Sequence, residues 1–91
     1  MTKTGAYSRL LKPSLVADKI LEDNFELITR VKGLESISKT WLLNNYKYAK
    51  QVVAGINYKF YVEFDGDIFL IVIWRKLDGG YKFVSGERLL E

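Results

Sequence analysis

The chain has 91 residues, of which 48% are hydrophobic and 27% charged, with a net charge of +3 and neither cysteine nor histidine. That is one domain's worth of chain, residues 1–91, with enough apolar material for a core without disulfides or metals. The missing residue types exclude disulfides, Cys or His nucleophiles, His general bases and Cys/His zinc sites, so no catalytic, metal-binding or cofactor-binding residues are assigned.

Residues 1–12 mix Thr, Lys, Gly, Ser and Arg with Tyr7, Leu10 and Leu11, and are expected to form a flexible N-terminal arm. Pro13-Ser14 is the first punctuation, and Ser14 is a helix N-cap candidate because its hydroxyl can accept from an orphan backbone N–H. From Leu15 to Lys32 the apolar spacing is helical. Ala17, Leu21, Phe25 and Ile28 share a face, Val16, Ile20, Leu27 and Val31 lie beside them, and charged residues fill most of the rest. The pattern predicts one helix about 27 Å long. Gly33 stands where a left-handed C-cap residue is expected.

After Gly33 the period changes. Residues 34–40 read as a loop or weak strand. Trp41 to Lys50 reads as a strand, with Asn44-Asn45 allowing a break. Asn57 to Phe64 alternates cleanly, Tyr58, Phe60, Val62 and Phe64 pointing one way. Asp65-Gly66-Asp67 is a hairpin turn signal. Ile68 to Lys76 is a further strand, Asp78-Gly79-Gly80 a further turn, and Tyr81 to Val84 a last strand that can continue past Ser85-Gly86 to Leu90. Short turns make antiparallel neighbours. The predicted class is therefore α+β, one long N-terminal helix wrapped by a four- to five-stranded antiparallel sheet.

Basic residues are spread along the chain with acidic ones interleaved, and no basic run exceeds two residues. This predicts an ordinary solvated surface and no nucleic-acid partner. No stretch approaches the roughly 18 apolar residues of a membrane span. The N-terminus lacks a charged-then-apolar leader pattern. Together with the lack of cysteine this predicts a cytoplasmic protein, or an extracellular one whose leader has been removed. Asp65, Asp67 and Asp78 fall in turns, where aspartate is a turn former before it is a catalytic or metal-binding group.

Gln51-Val52-Val53-Ala54-Gly55, followed by Ile56-Asn57-Tyr58, resembles the first hairpin of the cystatin family. That hairpin carries Gln-x-Val-x-Gly and often continues into x-Asn-Tyr. Ala17-Asp18-Lys19-Ile20 is similar to the Ala-Asp-x-Val of stefins. The order helix, strand, motif, strand, hairpin, strand, hairpin, strand fits over residues 14–90. The lack of cysteine makes the chain resemble the stefin, or type 1, branch. The resemblance implies a reversible, non-covalent, competitive inhibitor of papain-like cysteine proteases of the cathepsin type, not an enzyme. It implies that an arm glycine, the first hairpin and a second hairpin form one wedge that enters the protease cleft.

By position the arm glycine is Gly5, which lets residues 1–4 lie along the non-primed subsites. Gln51 suits the satisfaction of backbone groups at the loop base. Val52, Val53 and Ala54 make a small apolar tip, and Gly55 allows close approach of backbone. Leu77, Asp78 and Gly79 are the second-hairpin candidates. Stefins carry Leu-Pro there, so leucine is retained, proline is lost, Asp78 adds a charge and two glycines add flexibility. The second loop is expected to contribute less than in the family, and the first hairpin more. Pro13 also follows Gly5 more closely than in stefins, which shortens the arm.

In the register that the resemblance implies, Phe69, Ile71 and Ile73 face the helix. Leu70, Val72 and Trp74 then occupy the normally wet face. Such a face suits self-association, and domain swapping through the first hairpin, as in stefins, is another route from monomer to dimer. The alternative function is a non-inhibitory cystatin-fold interaction module that self-associates or binds another protein partner.

Overall fold

A computed structural model describes residues 5–89. Expectations for residues 1–4 and for Leu90 lie outside the described residues. Three short helices, α1 (Leu15–Asp23), α2 (Phe25–Ile28) and α3 (Lys39–Leu43), precede four strands. The strands β1 (Tyr46–Val53), β2 (Gly55–Phe64), β3 (Asp67–Arg75) and β4 (Tyr81–Leu89) form one antiparallel meander in the order β1-β2-β3-β4. The class is α+β, as the change from a helical to a twofold period implies.

The single long helix expected over Leu15–Lys32 is not present. Ser14 caps α1 as expected, its Oγ accepting from the Ala17 N–H at 3.1 Å. The helix is interrupted at Asn24, which has φ −113° and ψ 13°. The buried Asn24 side chain donates from Nδ2 to the Ile20 carbonyl at 2.8 Å, in competition with the backbone for that acceptor. Beyond α2 the chain tightens into i→i−3 turns, with the Arg30 N–H on the Leu27 carbonyl and the Val31 N–H on the Ile28 carbonyl. These turns keep Ile28, Val31, Leu34 and Ile37 all in the core. Gly33 does take positive φ, +104°, but in this turn region rather than at a helix end. A Cβ there would lie 2.8 Å from the Phe69 ring, so close packing on β3 also requires glycine.

The strand expected over Trp41–Lys50 begins only at Tyr46. Ser38 caps α3 through its Oγ and the Trp41 N–H at 3.1 Å. The Asn44 and Asn45 amides close its other end by donating to the Thr40 and Trp41 carbonyls. Trp41 packs edge-on to Phe64 at 5.2 Å between centroids, and Leu42 is fully buried. The break allowed at Asn44-Asn45 is therefore a helix-to-strand junction.

The inner sheet face carries Tyr46, Tyr48, Tyr58, Phe60, Val62, Phe69, Ile71 and Ile73, all buried against Ala17, Ile20, Leu21 and Ile28. The alternation read from Asn57 to Phe64 holds, and β3, apolar on both faces in sequence, turns Phe69, Ile71 and Ile73 inward in the register Tyr58↔Ile73, Phe60↔Ile71 and Val62↔Phe69. β4 runs on past Ser85-Gly86 to Leu89 and shifts register between Val72 and Ile73, a bulge that leaves Val84 without an opposite residue.

Candidate functional site

A four-strand meander sends alternate turns to opposite ends. The β1–β2 turn and the β3–β4 loop therefore share one end, and the Asp65-Gly66 turn lies at the other. At the shared end, Val53 pairs with Gly55 across Ala54, so the first hairpin closes on a single residue. Gly55 has φ +103°, and a Cβ there would overlap the Arg75 carbonyl oxygen. Glycine is required here by backbone conformation and by space together. Val52 is 57% exposed, Ala54 is exposed and Val53 is half-buried. The tip thus presents small apolar side chains to solvent.

Gln51 joins the hairpin to the arm. Its Nε2 donates to the Gly5 carbonyl, while its Oε1 accepts from Asn57 Nδ2 at 2.8 Å. Gly5 itself has φ +101°. The arm continues along the outer edge of β1, with bridges at Tyr7↔Gln51 and Leu11↔Tyr48. Ser8 holds Lys50 twice, its N–H on the Lys50 carbonyl at 2.7 Å and its Oγ accepting from the Lys50 N–H at 2.9 Å. The Lys59 ammonium sits 4.1 Å from the Tyr7 ring centroid. Burial first, then the neighbouring Tyr61, raises the Tyr7 pKa above its ordinary value. The arm thus touches the four-stranded sheet through isolated bridges, and among the described residues it forms no fifth strand.

The second loop, residues 76–80, stands beside the first. The Lys76 N–H donates to the Gly80 carbonyl at 2.7 Å and the Gly79 N–H to the Lys76 carbonyl at 2.9 Å. Asp78 Oδ1 accepts from the Gly80 N–H at 2.8 Å, so its carboxylate closes the loop in the manner of an Asx turn. Gly79 takes φ +90°. Leu77 is 82% exposed and belongs to no core contact. Val52, Val53 and Gly55 of the first hairpin line one shallow cleft with Lys76, Leu77 and Gly79 of the second loop.

The nine residues singled out in the sequence, Gly5, Gln51–Gly55 and Leu77–Gly79, therefore lie along one end of the sheet. Trp74 was assigned only to the outer face, yet its indole N–H donates to the Ala54 carbonyl at 2.8 Å. The signal for it was available: counting back from Phe64↔Asp67 at the Asp65-Gly66 turn puts Trp74 opposite Asn57, one step from the tip. Ser8 and Tyr7 carried no comparable signal, because an arm without periodicity has no register to count. Among the described residues no group of three Asp or Glu side chains is arranged to hold a metal ion. The described residues of this end offer shape, apolar tips and backbone. No family model, curated protein or solved structure matches this chain.

Proposed function

We propose that this chain has a cystatin-like fold of the stefin type and is a reversible, non-covalent, competitive inhibitor of papain-like cysteine proteases. The observation that carries this proposal is the hydrogen bonding of Gln51 to both Gly5 and Asn57, which ties the arm to a hairpin bearing Gln-x-Val-x-Gly. Arm and first hairpin are thereby joined, and exposed Leu77 of the second loop lies across a shallow cleft from the hairpin, an edge of the kind a protease cleft accepts. An edge whose loops are already hydrogen-bonded loses little conformational freedom on docking. An interface of standard size, roughly 1,600 Å², supports nanomolar affinity under those conditions.

The edge blocks a protease by occupying its cleft. Small side chains at Val53 and Ala54 and the absent Cβ of Gly55 let backbone approach the enzyme closely. The tight closure of the hairpin keeps its peptide bonds from adopting the extended course of a substrate. Titration of papain with the purified protein is expected to give competitive inhibition with the inhibitor recovered uncleaved. Full papain activity at micromolar inhibitor would overturn the proposal.

A second function has one specific observation in its favour. Ile68, Val84 and Leu89 are exposed on or beside the outer face that also carries half-buried Leu70 and Val72. A non-inhibitory module that binds another protein, or a second copy of itself, through that face accounts for them. Size-exclusion chromatography over a wide concentration range tests the self-association branch: a monomer at all concentrations removes it.

A further inference from the structure

Trp74 contacts the first hairpin from a strand that the motif does not include. It sits on β3, paired with Asn57 on one side and Lys82 on the other. Its Nε1–H donates to the carbonyl of Ala54, the residue at the apex. A Cβ on Gly55 would come within 2.9 Å of the same nitrogen. The indole edge therefore occupies the space left open by the glycine and also satisfies the apical carbonyl. Phenylalanine could fill the space but has no N–H to give.

The second loop closes through its own backbone and Asp78 rather than through the first hairpin. The first hairpin is thus fixed from two sides. Gln51 holds its base on the arm side, and Trp74 holds its apex on the β3 side.

We propose that Trp74 is the positioning residue of the first hairpin, its indole N–H holding the Ala54 carbonyl so that Val52–Gly55 meets a protease already in its bound shape. This rests on the inhibitory function proposed above. It gives a physical reason for the first hairpin to carry more of the binding in a chain whose second loop lacks proline. It also explains Trp74, one of the large apolar residues on the outer face, without any self-association.

The test compares Trp74→Phe with Trp41→Phe. Trp41 packs on Phe64 at the opposite end of the sheet and serves as the control for losing a tryptophan. Two quantities are read: amide hydrogen exchange at Val53, Ala54 and Gly55 in the free protein, and inhibition of papain. A neutral hydrogen bond of ordinary strength predicts that Trp74→Phe speeds tip exchange and weakens inhibition by roughly 3- to 10-fold each. Trp41→Phe is expected to change neither, even where it lowers the melting temperature more. Unchanged tip exchange in Trp74→Phe overturns the proposal, and so does faster exchange with unchanged inhibition. If the parent protein inhibits no papain-like protease, the proposed function fails, while exchange in the free protein still decides whether Trp74 holds the tip.

Discussion

Gly55 is where sequence and packing agree most closely. Its positive φ alone disfavours any side chain, and the Arg75 carbonyl leaves no room for one. Gly55→Val is expected to cost about 1–3 kcal/mol of stability through backbone strain, with the overlap on the Arg75 carbonyl adding to that loss, measurable by urea denaturation. Inhibition is expected to fall further, by roughly 30- to 1,000-fold, as for a residue at the centre of an interface. Equal inhibition by parent and variant would contradict the role given to the tip. Tyr46 allows a different test. Burial, and then the hydrogen bond its hydroxyl donates to Asp18 at 2.7 Å, push its pKa upward. The folded state therefore favours the protonated hydroxyl. The associated stability is full below the ordinary value of 10.0 and is lost as pH rises through the raised value. Between about pH 9 and about pH 12 the parent should lose more stability than Tyr46→Phe, read as the shift of the urea midpoint.

The strands were legible in the sequence and the helices only in part. β2 alternates in sequence because one face packs on the helices, whereas β3 is apolar on both faces and was legible from its length and the turns that bound it. A helical period is less decisive, because i→i−3 turns can bury nearly the same residues as a helix. Asn24 stands i+4 from Ile20 and i−4 from Ile28, so the stripe looks continuous while its one buried amide ends α1. α3 was hidden for the opposite reason: Trp41, Leu42 and Leu43 have strand-like bulk, and only Ser38 and the two asparagines mark its ends. The cap of α1 was visible, and its full role was not. Ser14 also bonds the Tyr48 hydroxyl at 2.9 Å, pinning the helix to the first strand. Ser14→Ala is expected to lose about 1–2 kcal/mol by equilibrium denaturation, the upper part of the range for an N-cap.

At the scale of the molecule, the candidate site follows from the meander. Because the first and third turns of the sheet share an end, residues 51–55 and 77–79 become neighbours without any long-range instruction beyond strand order. The arm joins the first hairpin through Gln51: the sequence assigned that residue to backbone groups at the loop base, and the side-chain geometry puts its donor on Gly5 of the arm. What the sequence did not show was charge placement. Near the shared end the strands and loop carry Lys50, Arg75, Lys76 and Lys82 against Asp78, while Glu63, Asp65, Asp67 and Glu87 lie toward the other against Lys47 and Arg88. A net charge of only +3 conceals this polarity. Association with a protease whose cleft rim is acidic should therefore slow as salt is raised, most steeply below about 0.15 M, and stopped-flow kinetics would record it. An association rate independent of salt would show that these charges do not steer the encounter.

The most direct measurement is an amide hydrogen-exchange footprint of the protein in complex with papain. Strong protection is expected at residues 52–55, weaker protection at residues 77–79, and none at the Asp65-Gly66 turn. Protection confined to the outer face of β3 and β4, or no complex at all, would contradict the assignment of this end as the inhibitory edge.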